Sequence, residues 1–293
     1  MISYNPKDWI RFIFDLHRSD TLVRLLPLLT GTGLYAAGIV WCLQHWVADP
    51  ANSPLRQLSV LHGLLGFAIS ILVVFRTNTA YDRWWEGRRQ WGALVNNSRN
   101  FAIKLNAMLP GDDDRNRTFF KQLLPRFAHE LMIHLQSEET RYSLDEQPHP
   151  EIPDFDRRKH VPNQVASLLA SRLAALHRQG TLSDTQLLLL NGELSSLLDI
   201  CGACERIKNT PIPYSYSAFI KKFIFFYVLS LPVGYGLGLQ YWIVPVTLFV
   251  LYVLASLELI AEEIEDPFGK DTNDLPMGRL VDTIRRNVQE TLA

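Results

Sequence analysis

The sequence predicts an all-α membrane subunit with four transmembrane helices and a cytosolic helical region. Three observations lead to this class. The chain of 293 residues contains four apolar runs that are long enough to cross a bilayer. Its composition, 47% hydrophobic and 20% charged, indicates a membrane part and an aqueous part of similar weight. No stretch alternates polar and apolar residues in the way that a half-buried strand does, so helices are expected throughout.

The N-terminal third predicts an interfacial helix followed by a transmembrane hairpin. Residues 1–24 are basic and amphipathic, which is typical of a helix that lies at the membrane surface. Residues 25–75 form the hairpin: 25–47 carry no charged side chain, and a second span covers 58–75. Basic residues before the first span and after the second place both ends of the hairpin in the cytoplasm.

The second span continues without a break into a polar helix. No proline lies between Leu55 and Met108, and the apolar run that ends at Phe75 passes directly into a segment rich in charged and aromatic residues. A helix of this kind leaves the membrane and continues into water.

One face of this span carries three bulky apolar residues. Phe67, Ile71 and Phe75 are spaced i, i+4 and i+8, so their side chains stack on the same side of the helix. Small residues occupy much of the remaining surface and allow close helix packing, namely Gly63, Gly66, Ala68 and Ser70. If several copies surround an axis, the bulky residues form three apolar rings, which can gate a pore by dewetting. The spacing alone also allows them to face lipid or a neighbouring helix.

Residues 76–217 are predicted to form the cytosolic helical region. Its first helix ends at a turn near 110–114, where Asp114 is expected to cap the next helix, and Pro125 should kink or split that helix. A proline-rich loop is predicted at 140–162 and a further helix at 163–179.

The remainder of this region and the C-terminal third predict four more helices and a turn. Ser183 and Gln186 have capping-box spacing, so a helix should begin there and run to about residue 209. Residues 218–261 form a second transmembrane hairpin, with spans at 218–239 and 243–261. Residues 262–293 form an acidic turn and a C-terminal helix.

The sequence excludes several classes of function. A net charge of -1 argues against a nucleic-acid partner. Phosphate-binding loops and nucleophile elbows are lacking, so no enzymatic activity is expected. Cys201 and Cys204 form a single C-x-x-C, which is a weak signal for redox or zinc chemistry and is more typical of packing on a helix.

The acidic residues near the end of the last span leave one enzymatic alternative open. Glu258, Glu262 and Glu265 share a helical face and could hold a metal, which would make the protein a membrane-embedded metal-dependent hydrolase. The simpler interpretation is a helix end whose carboxylates face water or form salt bridges, with Arg83, Arg88 or Arg206 as candidate partners. A membrane scaffold without a pore is a third possibility.

Three separated blocks of sequence resemble the bestrophin family of ion channels, in particular its bacterial members. They are FRTNTAYDRWWE at 75–86, CER at 204–206 with TPIPY at 210–214, and EEIEDPFG at 262–269 with NDLP at 273–276. The resemblance implies a homopentamer around one central pore in a membrane, with permeant inorganic ions as its small-molecule partners. It also implies that Phe67, Ile71 and Phe75 line the neck of the pore. A second, cytosolic aperture would map to Thr185, where relatives often carry an aliphatic residue.

The resemblance leaves ion selectivity open. The partly positive edges of phenylalanine rings weakly favour chloride-type anions, whereas a sodium channel of the same architecture is the alternative. Animal members hold calcium with carboxylates in a clasp that would map to Asp266, Asp271 and Asp274. Lys270 stands where those members carry an acid, so weak calcium binding or none is expected, and no other cofactor is predicted. The expected location is the bacterial inner membrane, with both termini in the cytoplasm.

Overall fold

The structure, a computed structural model, describes residues 21–47, 53–136 and 155–293. Most of the predicted interfacial helix and of the proline-rich loop therefore lies outside the described residues. Eight α-helices are present in the described part of the chain, which contains no strand. They are α1 Thr21–Trp46, α2 Leu58–Met108, α3 Asp114–Leu135, α4 Val161–Arg178, α5 Asp184–Asn209, α6 Tyr214–Leu239, α7 Ile243–Glu265 and α8 Met277–Thr291. Short 3-10 turns precede α2 at Pro54–Gln57 and join α6 to α7 at Gln240–Trp242.

Four stretches of the described chain are long and apolar enough to span a membrane. They are Thr21–Trp46, Leu58–Met108, Asp184–Asn209 and Tyr214–Glu265, the last of which contains both α6 and α7. Three of them contain the four spans predicted from the sequence. The remaining stretch, α5, buries its apolar face among the other helices of the polar unit, so we assign it to the core of that unit and not to the membrane.

The apolar unit comprises the described residues up to Arg83 together with Ile212–Glu265. Helix α7 packs against α1 and α6, and α1 packs against α6. Ile69 and Val73 of α2 are buried in a small core with residues of α6 and α7, namely Ile220, Ile224, Val228 and Leu251. These contacts determine which side of α2 faces the core, and the other sides of the helix lie outside it.

The polar unit comprises Trp84–Pro211 and Asp266–Ala293. Its core is built by the second half of α2 with α3, α4, α5 and α8, and Trp91, Phe101, Phe120 and Phe127 are fully buried there. Helix α8 buries Val281, Ile284 and Val288, three or four residues apart, which is the spacing of an amphipathic helix.

One detail of α3 differs from the sequence prediction, and a second decides between its alternatives. The N-cap is Asp113 and not Asp114, because the Asp113 carboxylate accepts the backbone N–H of Asn116. The helix also runs through Pro125 without splitting. A proline inside a helix costs about 3 kcal/mol. Burial of each large apolar side chain contributes about 1.5–3 kcal/mol, and the many buried side chains on α3 outweigh that cost.

The start of α5 agrees with the prediction. The Ser183 hydroxyl accepts the Gln186 backbone N–H at 3.3 Å, and the Ser183 backbone N–H donates to the Gln186 side chain at 2.9 Å. This reciprocal pair satisfies two donors that the first turn would otherwise leave unpaired. The TPIPY segment ends α5 at Asn209 and starts α6 at Tyr214, as two prolines one residue apart require.

Candidate functional site

The three bulky residues singled out in the second span lie on an exposed side of α2. Phe67, Ile71 and Phe75 are 70%, 40% and 60% exposed, whereas Ile69 and Val73 on the opposite side are 2% and 3% exposed. The described part of the chain therefore does not cover these three side chains with its apolar core. They are available to lipid or to another copy of the chain.

A small residue of the same span permits close packing with α6. The ideal Cβ position at Gly66 lies 2.8 Å from the Tyr227 hydroxyl oxygen, which is closer than real Cβ contacts. The Ser70 hydroxyl donates to the Gly66 carbonyl at 2.7 Å, so it is satisfied within its own helix. Gly66 thus leaves room for the Tyr227 side chain of α6.

A buried arginine follows the exposed face directly. Arg76 is 1% exposed, and its guanidinium donates from Nη2 to Glu265 Oε2 at 2.7 Å and from Nε to Glu258 Oε1 at 3.5 Å. A charge that is removed from water needs partners of opposite sign, and α7 supplies two. The sequence interpretation did not identify Arg76 as a buried ion-pair residue. The available signal was a cation immediately after an apolar run, together with a distant cluster of glutamates.

Besides Arg76, Glu265 bonds to two other parts of the chain. Its Oε1 accepts the backbone N–H of Ile212 at 2.8 Å, and its carbonyl accepts from Arg83 Nε at 3.0 Å. One residue at the end of α7 therefore fixes two arginines of α2 and the elbow that precedes α6.

The other glutamates of α7 also form ion pairs, with two cations that the sequence did not suggest. Glu262 accepts from Lys221 Nζ at 2.9 Å, and Glu263 pairs with Arg24. Arg206, one of the three partners suggested from the sequence, bonds instead to Glu86 at 2.5 Å. Each carboxylate of this cluster is thus matched to a cation of another helix, which is the arrangement of a structural helix end.

The proposed cytosolic aperture residue lies in the first turn of α5. Thr185 follows the capping box and is exposed, as are Leu188 and Leu189 one turn further along. The side chain of Thr185 therefore faces away from the core of its unit, and the capping box sets its position.

The acidic turn after α7 uses its carboxylates to hold its own backbone. Asp274 is 3% exposed, and its Oδ2 accepts the backbone N–H of Asp271 at 2.5 Å. Asp266 Oδ1 accepts the backbone N–H of Phe268 at 3.3 Å. Two of the three predicted clasp carboxylates thus already bond to backbone donors of the turn.

The C-x-x-C thiols of α5 lie in the protein core. Cys201 and Cys204 are free thiols, and burial raises the pKa of each to about 12. Nucleophilic thiol chemistry needs the thiolate, so this geometry supports the packing interpretation.

The comparisons with known proteins agree with one another. The sequence model described as "Bacterial/Fungal Bestrophin protein" matches residues 1–290. A voltage-dependent anion channel-forming protein of Nostoc sp. PCC 7120 is 31% identical over 288 residues, which cover 97% of this chain and 92% of that protein. The voltage-dependent anion channel-forming protein YneE of Escherichia coli K12 is 30% identical over 294 residues, which cover 97% and 91%. The solved structure of a bacterial bestrophin homologue from Klebsiella pneumoniae, a variant, gives a TM-score of 0.77 at 26% identity over 92% of this chain and 98% of that chain.

Proposed function

Because the chain belongs to the bacterial and fungal bestrophin family, we propose that it forms a homopentameric channel that conducts small monovalent anions passively. The names of the relatives in Nostoc and Escherichia coli, anion channel-forming proteins, support this ion class. The observation that carries the proposal is the exposure of Phe67, Ile71 and Phe75 on a helix whose other side is buried. In the proposed assembly these three residues face the central axis.

The three residues would then form a hydrophobic neck. Each position repeats around the axis as an apolar ring, and the rings lie about one helical turn apart along α2. A narrow apolar ring loses its water easily, and an ion that crosses it must lose part of its hydration shell. The neck would therefore control conduction by its width and wetting and needs no covalent chemistry.

Anion preference would come from the phenyl rings and not from a nearby cation. Arg76 follows the neck directly, but it is 1% exposed and bonded to Glu258 and Glu265, so it does not offer its charge to an ion. The edge of a phenyl ring is partly positive. Two phenylalanine rings that present their edges to the axis weakly favour anions over cations.

The same assembly implies a location and an orientation. We place the channel in the bacterial plasma membrane, with both termini in the cytoplasm. Arg76, Arg83 and Arg88 follow the second span closely, and positive residues are enriched on the cytoplasmic side of membrane proteins. Thr185 would then line the cytosolic aperture.

Calcium is proposed to bind weakly at most. Oxygen ligands on a loop suit calcium, but Asp266 and Asp274 bond to backbone N–H groups of the turn, and Lys270 adds a positive charge beside it. Calorimetry that gives a micromolar calcium affinity would contradict this part of the proposal.

Ion flux into proteoliposomes tests the proposed function. Chloride and sodium gradients are imposed separately on vesicles that contain the purified full-length chain, and we expect chloride flux that exceeds sodium flux. Sodium flux without chloride flux would instead support a sodium channel of the same architecture. The lack of both would contradict a channel and support a scaffold.

A matched pair of variants tests the role of the phenyl edges. Phe67→Ile should shift the reversal potential toward that of a less anion-selective pore. Leu65→Ile is the control, because Leu65 is 42% exposed on the same span but points about 160° around the helix from Phe67. An unchanged reversal potential in Phe67→Ile would refute the edge argument.

A further inference from the structure

Three side chains from three different helices of the polar unit converge on one point that the channel function does not use. His134 lies in the last turn of α3, His160 is the N-cap of α4, and Glu205 lies in the second half of α5. His134 Nε2 lies 2.7 Å from Glu205 Oε1, and His160 Nε2 contacts the same oxygen. One ligating atom from each of the three residues lies within 4.8 Å of those of the other two.

Neighbouring contacts hold this cluster in place. The two imidazole rings lie 4.4 Å apart between centroids, and Lys208 Nζ donates to the His134 carbonyl at 3.3 Å. His160 Nδ1 accepts the backbone N–H of Asn163 at 3.2 Å and thereby caps α4. The side chains are about one-third exposed, so an ion can reach them from solvent.

The donor set matches the preference of one class of ion. Two imidazole nitrogens and one carboxylate oxygen are ligands for zinc and similar divalent transition metals, whereas calcium and magnesium prefer sites made of oxygen alone. Three protein ligands leave a coordination position for water. Cys201 Sγ lies 3.7 Å from Glu205 Oε1 but is 2% exposed in the core, so the assignment does not include it.

We propose that His134, His160 and Glu205 bind one zinc-class divalent metal ion per chain. The ion takes the place of the two Nε2–H···Oε1 hydrogen bonds and joins α3, α4 and α5. Each imidazole stays neutral and moves its proton from Nε2 to Nδ1. At His160, a protonated Nδ1 can no longer accept the backbone N–H of Asn163. Metal binding and the side-chain cap of α4 therefore exclude each other.

The direct test is a zinc titration of the full-length protein in detergent, with any affinity tag removed and with prior treatment by a chelator. We expect one zinc ion per chain by competition with a chromophoric chelator. His134→Ala and Glu205→Gln should each weaken the affinity at least 100-fold. His177→Ala is the matched control and should bind as the parent does. His177 bonds to the Leu182 carbonyl at 3.0 Å and lies 3.4 Å from Asp184, and it does not belong to a three-ligand cluster in the part of the chain that the structure describes.

A second measurement keeps the test valid if a variant is less stable. Cobalt replaces zinc, and its visible absorption reports coordination independently of the unfolding temperature. We expect a tetrahedral cobalt spectrum without a thiolate charge-transfer band, unchanged in Cys201→Ser. A parent that binds no zinc, or binding that Glu205→Gln and His134→Ala leave unchanged, would overturn the proposal, as would a thiolate band that Cys201→Ser removes.

Discussion

Arg76 Nη2 donates to Glu265 Oε2 at 2.7 Å, and Arg76 is almost wholly excluded from solvent. The bond joins the residue directly after the exposed Phe75 to the last residue of α7. Because Arg76 lies on the same helix as Phe67, Ile71 and Phe75, this contact fixes the helix that carries the proposed neck.

Removal of this arginine should destabilise the chain strongly. Arg76→Met leaves Glu258 and Glu265 without their shared cation, and loss of one partner of a buried ion pair costs about 3–5 kcal/mol. Thermal unfolding in detergent measures the effect. Arg206→Met is the control, because the side chains of Arg206 and Glu86 are 65% and 31% exposed and an exposed pair contributes about 0–1 kcal/mol. Equal stabilities of the two variants would contradict the assigned role of Arg76.

A methyl group at Gly87 should lower the free energy of unfolding relative to the same change at an uncrowded helical glycine. A Cβ at this position would lie 3.1 Å from Pro267 Cγ and 3.2 Å from the ring of the fully buried Phe268. Overpacking costs about 1–3 kcal/mol, whereas alanine gains about 1 kcal/mol over glycine in helix propensity. The helical Gly202 has no heavy atom within 4 Å of its Cβ position, so Gly202→Ala should be neutral or stabilising. A Gly87→Ala variant as stable as Gly202→Ala would show that the turn does not pack tightly on α2.

The two core cysteines should be unreactive in the native protein. A thiol pKa raised to about 12, compared with about 8.5 for a free cysteine, lowers the thiolate fraction at pH 8 by roughly a thousandfold. In a Cys42→Ser background, iodoacetamide at pH 8 should therefore leave the folded chain unmodified and should alkylate both thiols after denaturation. Rapid alkylation of folded protein, read by mass spectrometry, would revive the redox interpretation of the C-x-x-C.

A larger, apolar side chain at the proposed aperture should reduce conduction. Thr185→Ile replaces an exposed hydroxyl with an aliphatic group, which raises the dewetting barrier if this position lines the cytosolic exit. We expect a severalfold lower chloride flux in proteoliposomes. Thr283→Ile on α8 makes the same substitution away from the proposed aperture and should leave the flux unchanged. Unchanged flux in Thr185→Ile would count against any role of Thr185 in the pore.

Local sequence patterns predicted those parts of the fold that local physics determines. The capping box at Ser183 and Gln186, the elbow at TPIPY and the unbroken helix α2 all follow from nearby residues. Pro125 did not split α3, because long-range packing outweighed a local preference.

The contacts of the two candidate sites mostly join distant residues. Arg76 and Glu265 are 189 positions apart, and His134 and Glu205 are 71 positions apart. A periodicity or a spacing rule describes one helix at a time, so it could mark Phe67, Ile71 and Phe75 but could not bring these partners together. The sequence likewise offered ion pairing as one interpretation of the acidic cluster but did not identify Arg24, Arg76 and Lys221 as its partners.

The most direct test of the central claim is cysteine accessibility on α2 during ion flux. Ile71→Cys and Leu65→Cys are each made in a Cys42→Ser background and treated with a charged, water-soluble thiol reagent, and the extent of modification is read by mass spectrometry. Leu65 is also exposed but points about 120° around the helix from Ile71. We predict that modification at position 71 changes chloride flux severalfold and that modification at position 65 does not. Complete modification at position 71 with unchanged flux would contradict the claim that this face lines the pore.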